Sequence, residues 1–153
     1  MKLAIALALA GLSSAAPAAV VNDKQAQAVI QGCVAHAKQK GQKQAIAVVD
    51  PGGQTVAALR MDGNTFGALD LAIEKARAVS AWGAPTAELA KWLKTTPGFE
   101  HAPHVVIVPG GLPIYTADDE RIGAVGVSGE EPPDDVACGL SGIAAAKLKA
   151  APR

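Results

Sequence analysis

The chain has 153 residues, half of them apolar, and carries 14 lysines and arginines against 14 aspartates and glutamates. A chain of that size can bury one sizeable core and hardly two. Zero formal net charge and 3% aromatic residues leave neither the field nor the stacking surface that nucleic-acid binding, or adhesion to an anionic membrane, would draw on.

The first residues read as an export signal. Lys2 supplies the positive charge, residues 3–12 form a short apolar segment, and Ala16-Pro17-Ala18 is a small-x-small cleavage site. The apolar run is too short to span a bilayer. The expectation is a signal over residues 1–19, cleaved after Ala18 or Ala19, and a mature domain over 20–153 that works in the periplasm or outside the cell. An oxidising compartment permits a disulfide between Cys33 and Cys138, the only two cysteines. Two separate buried thiols are the alternative, and sequence spacing does not choose between them. Neither cysteine lies in a C-x-x-C pair, which speaks against zinc and dithiol chemistry.

In chain order, Ala26, Val29, Ile30, Cys33, Val34 and Ala37 recur at helical spacing and Gly41 stops the helix. "AIAVVD" and "TVAALR" flank Asp50-Pro51-Gly52-Gly53 and predict a hairpin. From Phe66 the helical period returns through Leu69, Ile73, Ala76 and Val79, ending at Gly83 and Pro85. Thr86 is the expected cap of a short helix carrying Leu89, Trp92 and Leu93. "HVVIV", "PIYTA" and "RIGAVGVSG" read as three strands, and Val136, Leu140, Ile143, Ala144 and Leu148 as a last helix. The order α, ββ, αα, βββ, α predicts an α/β sandwich of two or three layers on a mainly antiparallel sheet.

That order bears on the candidate chemistry. Gly123, Gly126 and Gly129 give G-x-x-G-x-x-G, which is neither the dinucleotide nor the Walker spacing, and two of them fall within a strand. There they allow close approach of a backbone or a ligand. Ser128 lacks the second glycine of a nucleophile elbow, since Glu130 stands there. The imidazoles are His36, at the edge of the first helix's apolar face, and His101 and His104 in a loop with no third ligand fixed by spacing.

The blocks "AIAVVDPGG", "LRMDG", "EKARAVSAWGAPTAELAKWL", "PGGLPI", "RIGAVGVSG" and "DDVACGLSGIAA" stand in the order found in the GlcG/HbpS family of haem-binding-type domains, which also occur at the C-terminus of PduO proteins. Over residues 23–148 the chain resembles that family, and most of all its exported HbpS-like members. The resemblance implies a profilin-like α/β sandwich with a five-stranded, mainly antiparallel sheet, assembled into a homo-oligomer, often an octamer. It implies haem as ligand, with sequestration, sensing or haem and iron handling as the role. Arg60 and Asp62 match the family's R-x-D-G, Lys75 the lysine of its central helix, Pro85 and Thr86 its "PT", Gly110, Gly111 and Pro113 its GG-x-P, and Ser128 the serine of "GVSG". The E-x-x-E iron motif of some members is broken here, with Asp70 and Ile73 at the corresponding positions, so surface iron binding does not carry over. A ligating histidine on the first helix would be His36.

Chemically, Arg60 and Lys75 could hold a haem propionate or another carboxylate, Arg60 by a bidentate fork. Salt bridges within the chain, for instance Arg60 with Asp62 or Asp50, are the alternative. Haem iron takes an axial donor, usually histidine, and Tyr115 and Met61 complete a small donor set. The expected sites are thus His36 as iron ligand, with Arg60, Lys75 and Pro113 around the cofactor. An enzyme of the same fold acting on a small carboxylate-bearing molecule is the second expectation.

Overall fold

The computed structural model describes residues 19–152. Residues 1–18 of the segment read as an export signal lie outside the described residues. Among those residues the order is α1 (Asp23–Lys40), β1 (Ala45–Val49), β2 (Thr55–Arg60), α2 (Phe66–Trp82), α3 (Thr86–Trp92), a 3-10 turn (Phe99–His101), β3 (Gly111–Tyr115), β4 (Arg121–Ser128) and α4 (Pro132–Ala145). No described helix is long and apolar enough to cross a membrane.

The punctuation follows local chemistry. Asn22 and Gln25 form a reciprocal capping box at the start of α1, and Gly41 closes it at φ 68°. Thr65 caps α2, which Gly83 ends in the left-handed region. At α3 the cap differs from expectation: Pro85 takes that place without a side-chain bond, and Thr86, inside the helix, accepts from the Gly111 amide at 3.0 Å. The β1–β2 turn is held by Asp50, whose carboxylate accepts from Gln54 N at 2.9 Å, as a turn aspartate does.

The strands form one antiparallel sheet in the order β2-β1-β4-β3. It has four strands, not the five expected. Residues 104–108 form no ladder: His104 at φ 56° and Gly110 at φ 125° bend the chain on either side. Val105 and Val106 instead pack beside Ala78, Leu89 and Phe99. A β-branched run satisfies a loop that covers an apolar cluster as well as it satisfies a strand, and period alone does not separate the two.

Helices cover both faces of the sheet, which makes three layers. Large side chains of β1 and β4, including Ile46, Val48, Val125 and Val127, meet α1 and α4. The alternate positions are mostly small: Ala45, Ala47, Ala124 and Gly126 face α2, with Val49 the larger exception. A Cβ on Gly126 would lie 1.9 Å from the Ala72 carbonyl oxygen, so the strand glycine serves close helix packing rather than a ligand. On the other face α1 and α4 cross through Gly32 and Gly142, and there Cys33 and Cys138 form a disulfide with Cα atoms 4.6 Å apart.

Two outcomes are expected from this packing. Gly126→Ala forces α2 off the sheet and destabilises the protein by at least about 1–3 kcal/mol in denaturant titration. Replacing Cys33 and Cys138 with serine removes the cross-link over a separation of 105 residues and costs on the order of 4–5 kcal/mol in the chain-entropy account. Thiol titration of the unfolded, non-reduced protein should find no free thiol.

Candidate functional site

Two regions of the surface carry candidate chemistry, and α1 presents both. His36 is half-buried on the side of α1 that meets α4. Its Nδ1 lies 3.0 Å from Ser141 Oγ, which in turn donates to Ala137 O at 2.9 Å. The other side of α1 borders a cleft of about 510 Å³. Val34, Leu59 and Met61 supply its apolar walls, and Lys38, Lys43 and Arg60 its cations, with Asp62 at the margin.

The loop after β2 shapes that cleft through backbone bonds. Met61 N donates to Gln44 O at 2.9 Å and Asn64 Nδ2 to Lys43 O at 2.7 Å. Arg60 donates to Asn64 O and forms no ion pair with Asp62 or Asp50. Its exposed guanidinium retains further donors for an anion.

Lys75 is elsewhere and fully buried. Its Nζ donates to Asp135 Oδ2 and to Val127 O, both at 2.8 Å. Asp135 Oδ1 accepts from Glu130 N at 3.2 Å. With the Gln44 amide turned so that nitrogen faces its two acceptors, that nitrogen reaches Asp135 Oδ1 at 3.0 Å and Ser128 O at 3.1 Å. The carboxylate that Lys75 holds therefore comes from this chain and not from a ligand. Pro113 is likewise buried, within β3, and offers no surface to a cofactor.

Burial pushes Lys75 below the usual ammonium range, its bond and attraction to Asp135 opposing that shift. The same cause pushes Asp135 above the carboxylate range, against Lys75, Glu130 and Gln44.

His101 and His104 are exposed and stand 3.9 Å from Glu100 and Glu74 carboxylate oxygens respectively. No group of three or more His, Cys, Asp or Glu able to hold a metal occurs among the described residues. Asp70 is exposed and Ile73 packs against the small-residue face of the sheet, so the broken iron motif has no geometric substitute. The structure thus keeps His36 and Arg60 accessible but apart, and withdraws Lys75 and Pro113. Sequence reading missed Ser141, Asp135, Lys38 and Lys43. One signal was available: Ser141 follows Cys138 by the same three residues by which His36 follows Cys33.

A family model described as haem degrading protein HbpS-like matches residues 21–144. The chain belongs to the HbpS-like family. No curated protein matches it. Among solved structures, a double mutant of Streptomyces reticuli HbpS is similar at 30% identity and TM-score 0.79, over 92% of this chain and 97% of that one. A complex of PduOC with heme is similar at 23% identity and TM-score 0.79, over 87% and 99%. The Klebsiella pneumoniae protein ORFY is similar at 22% identity and TM-score 0.81, over 90% and 98%. The α/β fold of this HbpS-like chain is therefore that of its relatives, one of which, PduOC, is in complex with heme.

The buried pair gives a sharp test. Lys75→Met alone strands Asp135 and should cost about 3–5 kcal/mol in denaturant titration. Lys75→Met with Asp135→Leu should recover most of that loss, short of about 1 kcal/mol for the Glu130 amide left without its acceptor. Between 3.8, the ordinary value, and its raised native value, folded Asp135 holds a proton that the unfolded chain has released. In that window its contribution to stability rises as the pH falls, and Asp135→Asn should remove this slope.

Proposed function

We propose that this protein is an exported binding protein for haem, acting as a homo-oligomer with His36 as the axial ligand and Arg60 as a partner for a propionate. The observation that carries the reading is the state of His36. It is the one imidazole held by a hydrogen bond on a regular helix, whereas the side chains of His101 and His104 are 84% and 55% exposed. A ring fixed on a rigid element reaches a ligand without first ordering a loop. Family membership and the heme bound by PduOC support haem as the ligand class.

The donor set fits. A neutral imidazole is the usual proximal ligand of haem iron, which when bound supplies the redox and oxygen chemistry of the site. The cleft's Lys38, Lys43 and Arg60 suit carboxylates, with apolar walls beside them. Val34 and His36 are two residues apart and so some 200° apart around α1. One planar ligand on His36 would take its cationic partners from a second copy, which supports the oligomer.

Export is supported by the residue after the cleavage site. Ala19 N lies 2.9 Å from Glu120 Oε1, and Val21 N donates to Ile122 O at 2.8 Å. Cleavage after Ala18 turns Ala19 N into an ammonium on a carboxylate. N-terminal sequencing of exported material should begin at Ala19, and a start at Met1 or Lys2 would overturn the signal and the location together.

Haemin titrated into the mature protein should shift the Soret band and saturate at one per chain. His36→Ala should change the band and the affinity, while the double change of His101 and His104 to alanine should leave both as in the wild type. The opposite pattern names the wrong ligand. The cationic cleft favours a second reading, an enzyme acting on a small carboxylate-bearing molecule. Failure of the wild type to bind haemin, with binding of small carboxylates lost in Arg60→Ala, would select it.

A further inference from the structure

On α1, His36 follows Cys33 by three residues, and on α4, Ser141 follows Cys138 by three. Residues so spaced share a helix face one turn apart. The disulfide and the His36–Ser141 contact are therefore two neighbouring ties across one helix crossing. That crossing has little freedom. A Cβ on Gly32 would sit 2.4 Å from Ala145 Cβ, and one on Gly142 2.3 Å from Val29 O. Covalent bond and tight backbone contact together fix where the Ser141 hydroxyl stands relative to the imidazole.

The hydroxyl has one proton and two neighbours, His36 Nδ1 at 3.0 Å and Ala137 O at 2.9 Å. A carbonyl oxygen only accepts. Giving the proton to the imidazole would leave two oxygens face to face at 2.9 Å with no hydrogen between them. Giving it to Ala137 O satisfies both contacts, because Ser141 Oγ then accepts from Nδ1–H. In water the Nε2–H form of a neutral histidine side chain predominates, so this arrangement selects the less common tautomer.

We propose that Ser141 is a positioning residue: it holds neutral His36 as the Nδ1–H tautomer, so that Nε2 presents its lone pair to an electrophilic centre. Which nitrogen ligates is set by the bond the other one makes, and such partners orient a metal-binding imidazole and raise its basicity. That haem iron is the centre rests on the function proposed above. The tautomer belongs to the ligand-free protein and does not.

The test is nitrogen-15 NMR of the imidazoles in the ligand-free mature protein, at a pH high enough for neutral histidine, with His36 assigned through His36→Gln. The wild type should show His36 mainly as Nδ1–H and His101 mainly as Nε2–H. Ser141→Ala should return His36 to the Nε2–H form, and Ser141→Thr, which keeps the hydroxyl, should retain Nδ1–H. Thermal melts of both variants separate this effect from a loss of fold. A wild-type His36 in the Nε2–H form, or one unchanged by Ser141→Ala in a folded protein, overturns the assignment. In the haemin titration Ser141→Ala should bind about ten- to a hundredfold more weakly, with Thr restoring affinity. If the wild type shows Nδ1–H set by Ser141 yet binds no haemin, the haem reading falls and the positioning of His36 stands.

Discussion

The ion pair of Lys75 and Asp135 is the point at which the three layers are joined. Lys75 belongs to α2 on one face of the sheet, Asp135 to α4 on the other, and the ammonium reaches the carboxylate past the end of β4, where Val127 O shares it. Gln44, just before β1, and the Glu130 amide occupy the other carboxylate oxygen. Two charges without water are costly unless every remaining donor and acceptor is paired, and each partner here comes from a different element. Misplacing any one of those elements uncovers a buried charge. A hydrophobic contact could hold the same helices but would tolerate sliding; the ion pair specifies their register.

That specification explains the division of labour between the sheet faces. Toward α2 the strands carry mostly alanine and glycine, with Val49 the exception, and Gly126 lets the Ala72 carbonyl come within van der Waals reach, which brings Lys75 low enough to reach past the end of β4. Toward α1 and α4 they carry isoleucine and valine, and the helices ride higher on a thicker apolar layer. The disulfide and the paired glycines then lock that outer helix pair, and His36 inherits its position from them. The accessible imidazole and the cationic cleft thus stand on opposite sides of the same well-anchored helix.

Much of this was legible from residues 19 onward because local signals agreed with the fold. Gly41 and Gly83 end their helices as their left-handed conformations require, and the Asp50 turn places β1 and β2 in register. Where local and tertiary demands differed, sequence was ambiguous. Val105 and Val106 have strand chemistry but were recruited by Trp82 and Phe99. Lys75 looked like a cation for a ligand because nothing in its own helix announces a partner 60 residues further on. Asp135 lies in the first turn of α4, where the macrodipole welcomes any acid, so its position alone does not mark it as buried and paired. His36 was legible as a candidate by its helical position. Its pairing with Ser141 required knowing that the two helices cross, which spacing hints at and only packing establishes.

The two borders of the sheet are unlike. Along β3, Pro113 has no amide hydrogen to offer, and Tyr115 exchanges both its backbone bonds with Lys149. That border is closed to a neighbouring chain by covalent chemistry and by a local tie, two of the means by which proteins blunt an exposed strand. The outer side of β2 has no proline and no such tie among the described residues, but its turn end is irregular: Val48 pairs with Ala57 and Val49 with Thr55, so Val56 bulges out of the ladder. A bulge twists that end of the edge away from a straight partner, which leaves Ala57 to Arg60 as the stretch of this border open to main-chain pairing with another polypeptide, with Arg60 its one charged residue.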